Sequence, residues 1–150
     1  MNQEKVMKRR MVGAIILFSV TFIVLIIFIA LYVDETHRVQ ETYRTQYNTN
    51  LKHASEAIDA YLKGEGDYDM RYTRIISDMS SANSFAFLIE DFKDEQKTIN
   101  EINSALIKYP EQMKGNLEEL KEALDDMAAN VDRGYTRANK LIDSLDKKGN

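Results

Sequence analysis

Metal binding or acid–base catalysis in this 150-residue chain would have to be built from two histidines, a few closely spaced carboxylates and no cysteine. His37 and His53 stand sixteen residues apart, without the helix-spaced imidazole or carboxylate partners that a zinc site needs. The lack of cysteine rules out disulfides and thiolate chemistry alike. No Gly-rich phosphate loop and no nucleophile elbow occurs. The paired acids Glu118/Glu119 and Asp125/Asp126 lie opposite an apolar stripe, where carboxylates form a solvated helix face rather than a general acid and base. These residues predict a protein that is not an enzyme, with no catalytic, cofactor-binding or metal-ligating residues and no cofactor.

The stretch nearest to a metal loop is "KGEGDYDMRY", Lys63 to Tyr72. Glu65, Asp67 and Asp69 alternate as calcium ligands do. Arg71, however, stands where the next acid belongs, and the loop's central Gly and closing Glu are missing. The same residues suit a helix–helix turn. Gly64 and Gly66 supply a permissive backbone, and Asp67 caps the free amides of the next helix.

The elements around this turn are long helices. Gly64, Gly66, Pro110 and Gly115 are the breakers between residues 34 and 133, which predicts helices over roughly 34–63, 68–108 and 111–146. In the last of these, Met113, Leu117, Leu120, Leu124, Met127, Val131, Gly134, Ala138, Leu141 and Leu145 follow steps of four and three, a heptad seam. In the middle one, Ile75, Met79, Ala82, Ala86, Ile89, Phe92, Ile99 and Leu106 carry a matching stripe.

Folding the two across Tyr109-Pro110-Glu111, with Pro110 in a first helical turn, predicts a long antiparallel hairpin. Its register sets Leu106 opposite Met113, Ile99 opposite Leu120, Ala86 opposite Gly134 and Ala82 opposite Ala138. The first segment adds Val39, Tyr43, Tyr47, Leu51, Ala54, Ile58 and Tyr61. Turned at Gly64–Gly66, it brings Tyr43 and Tyr47 near Ala82 and Ala86, large residues against small. Tyr43, Tyr47, Ala82, Ala86, Gly134 and Ala138 are therefore the expected packing and interaction residues.

Ahead of these helices lies the longest apolar run in the chain. From Met11 to Val33 there is no charged residue, and the interruptions are Gly13, Ser19 and Thr21. As a helix this run is about 34 Å long, enough to cross a hydrocarbon core of about 30 Å. It exceeds the roughly 7–15 apolar residues of a cleaved signal, and no small-x-small cleavage site follows, so it reads as a permanent anchor. Lys5, Lys8, Arg9 and Arg10 precede it, and Asp34 and Glu35 follow, which predicts a cytoplasmic N-terminus. Lys8, Arg9, Arg10 and the interfacial Tyr32 are the expected anchor residues.

The anchor raises a geometric problem. A second helix unbroken to residue 108 would carry Asn100, Glu101, Asn103 and Lys108 back toward lipid, where they are costly. Either the bundle leans through a hinge near Asp34–Arg38, which is favoured, or the second helix breaks around Ile89–Gln96. Two successive three-residue steps, Ala86 to Ile89 to Phe92, mark a local overwinding there.

The resulting expectation is an all-α protein: a cytoplasmic tail (1–10), a transmembrane helix (11–33) and an extracytoplasmic antiparallel three-helix bundle (34–150). Four of the 20 Lys and Arg but only one of the 24 Asp and Glu precede the span, so the outer part is more acidic than the chain's net −4. No basic stripe is left there to neutralise phosphates, and nucleic acid is excluded as a partner. The expected partners are the lipid bilayer and a protein, either another envelope protein or a second copy. The expected role is an interaction or scaffold module. The alternative is a ligand-sensing bundle that signals through a membrane partner, and no residue pattern specifies its small molecule.

Overall fold

The computed structural model describes residues 2–147, all of whose regular structure is helical. Six helices follow one another: α1 (Asn2–Leu62), α2 (Tyr68–Ala86), α3 (Asp94–Lys108), α4 (Pro110–Gly115), α5 (Leu117–Ala128) and α6 (Arg133–Ser144). The chain divides into two compact units between Val39 and Gln40.

The first unit is the N-terminal part of α1 alone. One helix satisfies every interior backbone amide within itself, and the hydroxyl of Thr21 donates to the Leu17 carbonyl at 2.9 Å, so its donor is satisfied too. The apolar side chains from Met11 to Val33 are exposed.

The second unit combines the rest of α1 with α2–α6. α1 ends in a Schellman turn: the Gly64 amide donates to Tyr61 O and the Glu65 amide to Ala60 O, with Gly64 and Gly66 at φ 71° and 78°. Asp67 then caps α2 by accepting from the Met70 amide at 3.0 Å, the turn read from the sequence. α2 runs back along α1, so that Tyr61 meets Tyr68 and Tyr72 at one end and Tyr43 meets Phe85 at the other.

At 87–93 the chain reverses, and α3 returns antiparallel to α2. Ser80 donates to Asn103 (3.0 Å) and Asn83 to Asn100 (3.3 Å) across this pair. Pro110 opens α4 at its first turn, as expected. α5 lies antiparallel to α1, with Ser55 donating to Asp125 and Lys121 beside Asp59. α6 reverses again and pairs with α5 through Asp126–Arg133 and Glu122–Arg137. It also runs parallel to α3, bonded by Thr98 to Asn139 at 2.9 Å. The topology of this unit is up–down–up–down–up, with α4 and α5 together forming the second downward arm.

Two expectations change. The hairpin of two long helices is replaced by two short hairpins, α2–α3 and α5–α6, because the 68–108 and 111–146 segments each break and fold back. Gly134 therefore faces Ala123 and Met127 of α5, not Ala86, and the long-hairpin register does not hold. The second change concerns the hinge: residues 34–38 are helical, and the interruption is in the second segment, at 87–93.

The stripes supply most of the core, although Val131, in the α5–α6 turn, is exposed. Leu51, Ile58, Ile75, Met79, Ile99, Leu106, Leu120 and Leu124 are fully buried. Each of these large side chains contributes about 1.5–3 kcal/mol on leaving water. Ala57, Ile102, Ala123 and Ile142 join them from positions beside the seam, since each helix here faces more than one neighbour and buries a wider stripe.

Candidate functional site

Two features of the described residues stand apart from ordinary packing, one in each unit. In the first unit it is the apolar stretch of α1. This helix is long and apolar enough to cross a membrane, and its most apolar window has no buried residue. At its N-terminal side Lys8, Arg9 and Arg10 are exposed, with Lys8 paired to Glu4 at 3.3 Å. At its other side Tyr32 is 75% exposed and its carbonyl accepts from the Thr36 hydroxyl, while Arg38 forms a bidentate pair with Glu35. The four residues expected to anchor the chain, Lys8, Arg9, Arg10 and Tyr32, thus lie at the two ends of one exposed apolar surface.

In the second unit it is a clamp formed by one face of α1. Gln40, Tyr43, Arg44 and Tyr47 recur at i, i+3, i+4 and i+7, and all four reach the end of α2 or the 87–93 reversal. The Gln40 amide grips the reversal's backbone from both sides: Nε2 donates to Leu88 O and Oε1 accepts from the Glu90 amide, each at 3.1 Å. Arg44 pairs with Asp91 at 3.0 Å while its guanidinium lies 5.3 Å from the Phe92 ring centre. Tyr47, 2% exposed, sets its ring edge-on to Phe92 at 5.1 Å. Its hydroxyl meets that of Tyr135 at 2.8 Å, joining α1 to α6. Burial pushes the Tyr47 phenol far above its ordinary pKa, and the neighbouring Tyr135 and Glu95 add to this. Tyr135 is pushed up mainly by burial as well.

Of the residues expected to pack, Ala82, Ala86 and Ala138 are fully buried, and Tyr43 lies half-buried with its ring 6.4 Å from that of Phe85. Gly134 is buried against α5. These residues are not brought together into one site. Tyr43, Tyr47 and the end of α2 belong to the clamp, while Gly134 belongs to the α5–α6 hairpin. The clamp residues missed in the sequence are Gln40, Arg44 and Tyr135. Their signal was positional: Gln40 and Arg44 flank the Val39–Tyr43–Tyr47 stripe by one residue.

The residues with chemical potential stay dispersed. His37 and His53 are exposed on α1, and Glu65, Asp67 and Asp69 are exposed around the α1–α2 turn. Among the described residues no group of three potential ligands is gathered for a metal. Asp125 accepts from Ser55 and Lys121, and Asp126 accepts both guanidinium bonds of Arg133 at 2.8 Å, which hold its carboxyl below the ordinary range. Both acids fasten helices to one another. Comparison with known protein families, with characterised proteins and with solved structures finds no match to this chain.

Proposed function

We propose that this chain is a membrane-anchored interaction module. Residues 11–33 span the bilayer, residues 1–10 face the cytoplasm, and the helical unit that follows stands on the extracytoplasmic side. There its outer faces bind another envelope protein or a second copy of the chain. The observation that carries the reading is the wholly exposed apolar stretch of α1, which none of the described residues covers and which leads into a unit with a filled core of its own. Exposed apolar surface of this extent is stable only in lipid or against another protein. The excess of Lys and Arg before the span supports the orientation.

The test is extraction and recovery of the full chain. It should stay with membranes through alkaline carbonate and leave them only with detergent. From gentle detergent it should emerge as a defined complex, either a homo-oligomer or a stoichiometric pair with one membrane protein. Release by carbonate would end the anchor reading, and a detergent-soluble monomer without a partner would end the interaction reading.

A further inference from the structure

We propose that the outer face of the α2–α3 hairpin docks a second copy of this chain, hairpin against hairpin. The inference rests on the interaction reading above and names its partner. In a chain that is 29% charged, α2 from Ile75 to Ala86 carries one charged residue. That residue, Asp78, is buried and paired with Arg74 at 2.8 Å. Away from the core this stretch shows Ser77, Ser80, Asn83 and Ser84, and Phe87 continues their spacing, 59% exposed. The bonds Ser80–Asn103 and Asn83–Asn100 set α3 beside them, and the same antiparallel register puts Ile107, 55% exposed, next to Ile76. Between Asn100 and Ile107 the one charge on α3 is Glu101, which pairs with Lys97 at 4.0 Å. The result is a strip of hydroxyls and amides with a bulky apolar residue at each end. Loss of charge is what separates the centre of an interface from a solvated helix face.

The occupant follows from charge and from hydrogen-bonding type. Five of the 20 Lys and Arg and three of the 24 Asp and Glu precede Gln40, so the second unit holds 15 against 21, a net −6. Two such units repel one another, and carboxylates brought face to face are costly. Glu41 and Glu56 stand exposed on α1, Glu118 and Glu119 on α5, and Asp143 on α6, whereas the strip lets two copies meet without them. Ser and Asn each donate and accept, so the strip complements itself about a two-fold axis, as a contact between identical copies must. One group within it lacks a partner: Asn83 Oδ1 is enclosed and accepts no bond among the described residues, while its Nδ2 donates to Asn100. Turned outward, this amide takes a donor from the second copy. The area suffices. α2 has 19 residues, about 28 Å of helix; with α3 about 8–10 Å beside it, the face covers about 500 Å² on each copy, or about 1,000 Å² in all, the lower bound for a specific contact.

The test uses the full chain purified in gentle detergent, where light scattering should give the mass of a dimer. Because the chain has no cysteine, one thiol reports one position. A short bismaleimide should couple copies through at least one of Ser84→Cys and Asn100→Cys, both exposed on the strip, and should leave copies bearing His53→Cys, exposed on α1, uncoupled. Ser84→Glu combined with Asn100→Asp keeps the acceptor for Asn83 and adds two carboxylates to each face. It should turn the dimer into a monomer with helical content unchanged by circular dichroism; if helical content falls, the thiol coupling decides alone. A dimer that couples through His53→Cys but not through the strip, or that persists in the folded double variant, overturns the inference and leaves the interaction reading standing. So does a complex of one copy with one other membrane protein. A monomer with no partner of any kind overturns both.

Discussion

Gly134 of α6 lies directly on the backbone of Ala123 in α5: a Cβ placed on it would stand 2.7 Å from the Ala123 carbonyl oxygen and 2.8 Å from the Met127 amide nitrogen. Glycine costs about 1 kcal/mol of helix propensity against alanine, and here close approach of two helices offsets that cost. Gly134→Ala should destabilise the protein by about 1–3 kcal/mol despite the better propensity, because backbone atoms cannot yield as a side chain would. Gly115→Ala, with nothing within 4 Å of its Cβ, should stabilise it by about 0.5–1 kcal/mol. Denaturant unfolding of the two variants should move in opposite directions.

The reversal between α5 and α6 is built on Asn130, whose φ of 57° places it in the left-handed region. Its amide donates to Met127 O and the Val131 amide to Asp126 O, a Schellman termination. Asn130→Gly should be neutral or slightly stabilising. Asn130→Val should cost about 1–2 kcal/mol, since a β-branched residue at positive φ is strained. Equal stability of the two variants would contradict this account of the turn.

That turn shows what the sequence hid. The seam from Met113 to Leu145 passes from α5 to α6 without a fault, because both arms of the hairpin face one core and keep the same spacing on either side. No Gly or Pro stands between Gly115 and Asp132 to flag the interruption. Asn130 followed by Asp132 was the available sign, a left-handed residue and then a residue suited to start a helix. The two short steps from Ala86 to Phe92 marked the break at 87–93 only as the less favoured alternative to a hinge near Asp34–Arg38. The buried stripes, the Gly64–Gly66 turn and the place of Pro110 could be read, since each follows from local periodicity or backbone chemistry. The clamp could not: Gln40 and Arg44 look like solvated helix residues until a distant loop is folded onto them.

Gln40 satisfies two backbone groups of the 87–93 reversal. Gln40→Ala should cost about 1 kcal/mol in global stability, with a larger local effect. Hydrogen exchange at the Glu90 amide, which now donates to Gln40 Oε1, should speed up far more than exchange at the Asn100 amide in α3. Uniform acceleration across the unit would mean that Gln40 only supports the fold as a whole.

The buried tyrosines impose a dependence on alkaline pH. Burial raises Tyr47 far above the ordinary value of about 10 and raises Tyr72, whose hydroxyl donates to Leu106 O at 2.9 Å, to about 12. For an acid whose pKa is raised by folding, the stabilisation is complete below the unfolded value and is lost as pH rises above it. From about pH 10 upward each such tyrosine should therefore remove up to about 1.4 kcal/mol of stability per pH unit. For Tyr72 the loss should level off near pH 12. Tyr47→Phe, which gives up about 1 kcal/mol at neutral pH with the bond to Tyr135, should unfold less steeply above pH 10. An unchanged alkaline slope in that variant would contradict the assignment.

On the proposed reading, α1 crosses a membrane with its basic flank inside and the helical unit outside. The chain has no cysteine, so single substitutions report sidedness without background. Gln3→Cys and His53→Cys place a thiol at exposed positions before and after the span. Treated with a membrane-impermeant maleimide, intact cells should label His53→Cys alone, and Gln3→Cys should react only after the membrane is opened. Labelling of Gln3→Cys but not His53→Cys in intact cells would reverse the orientation, and recovery of both in the soluble fraction would contradict the anchor itself.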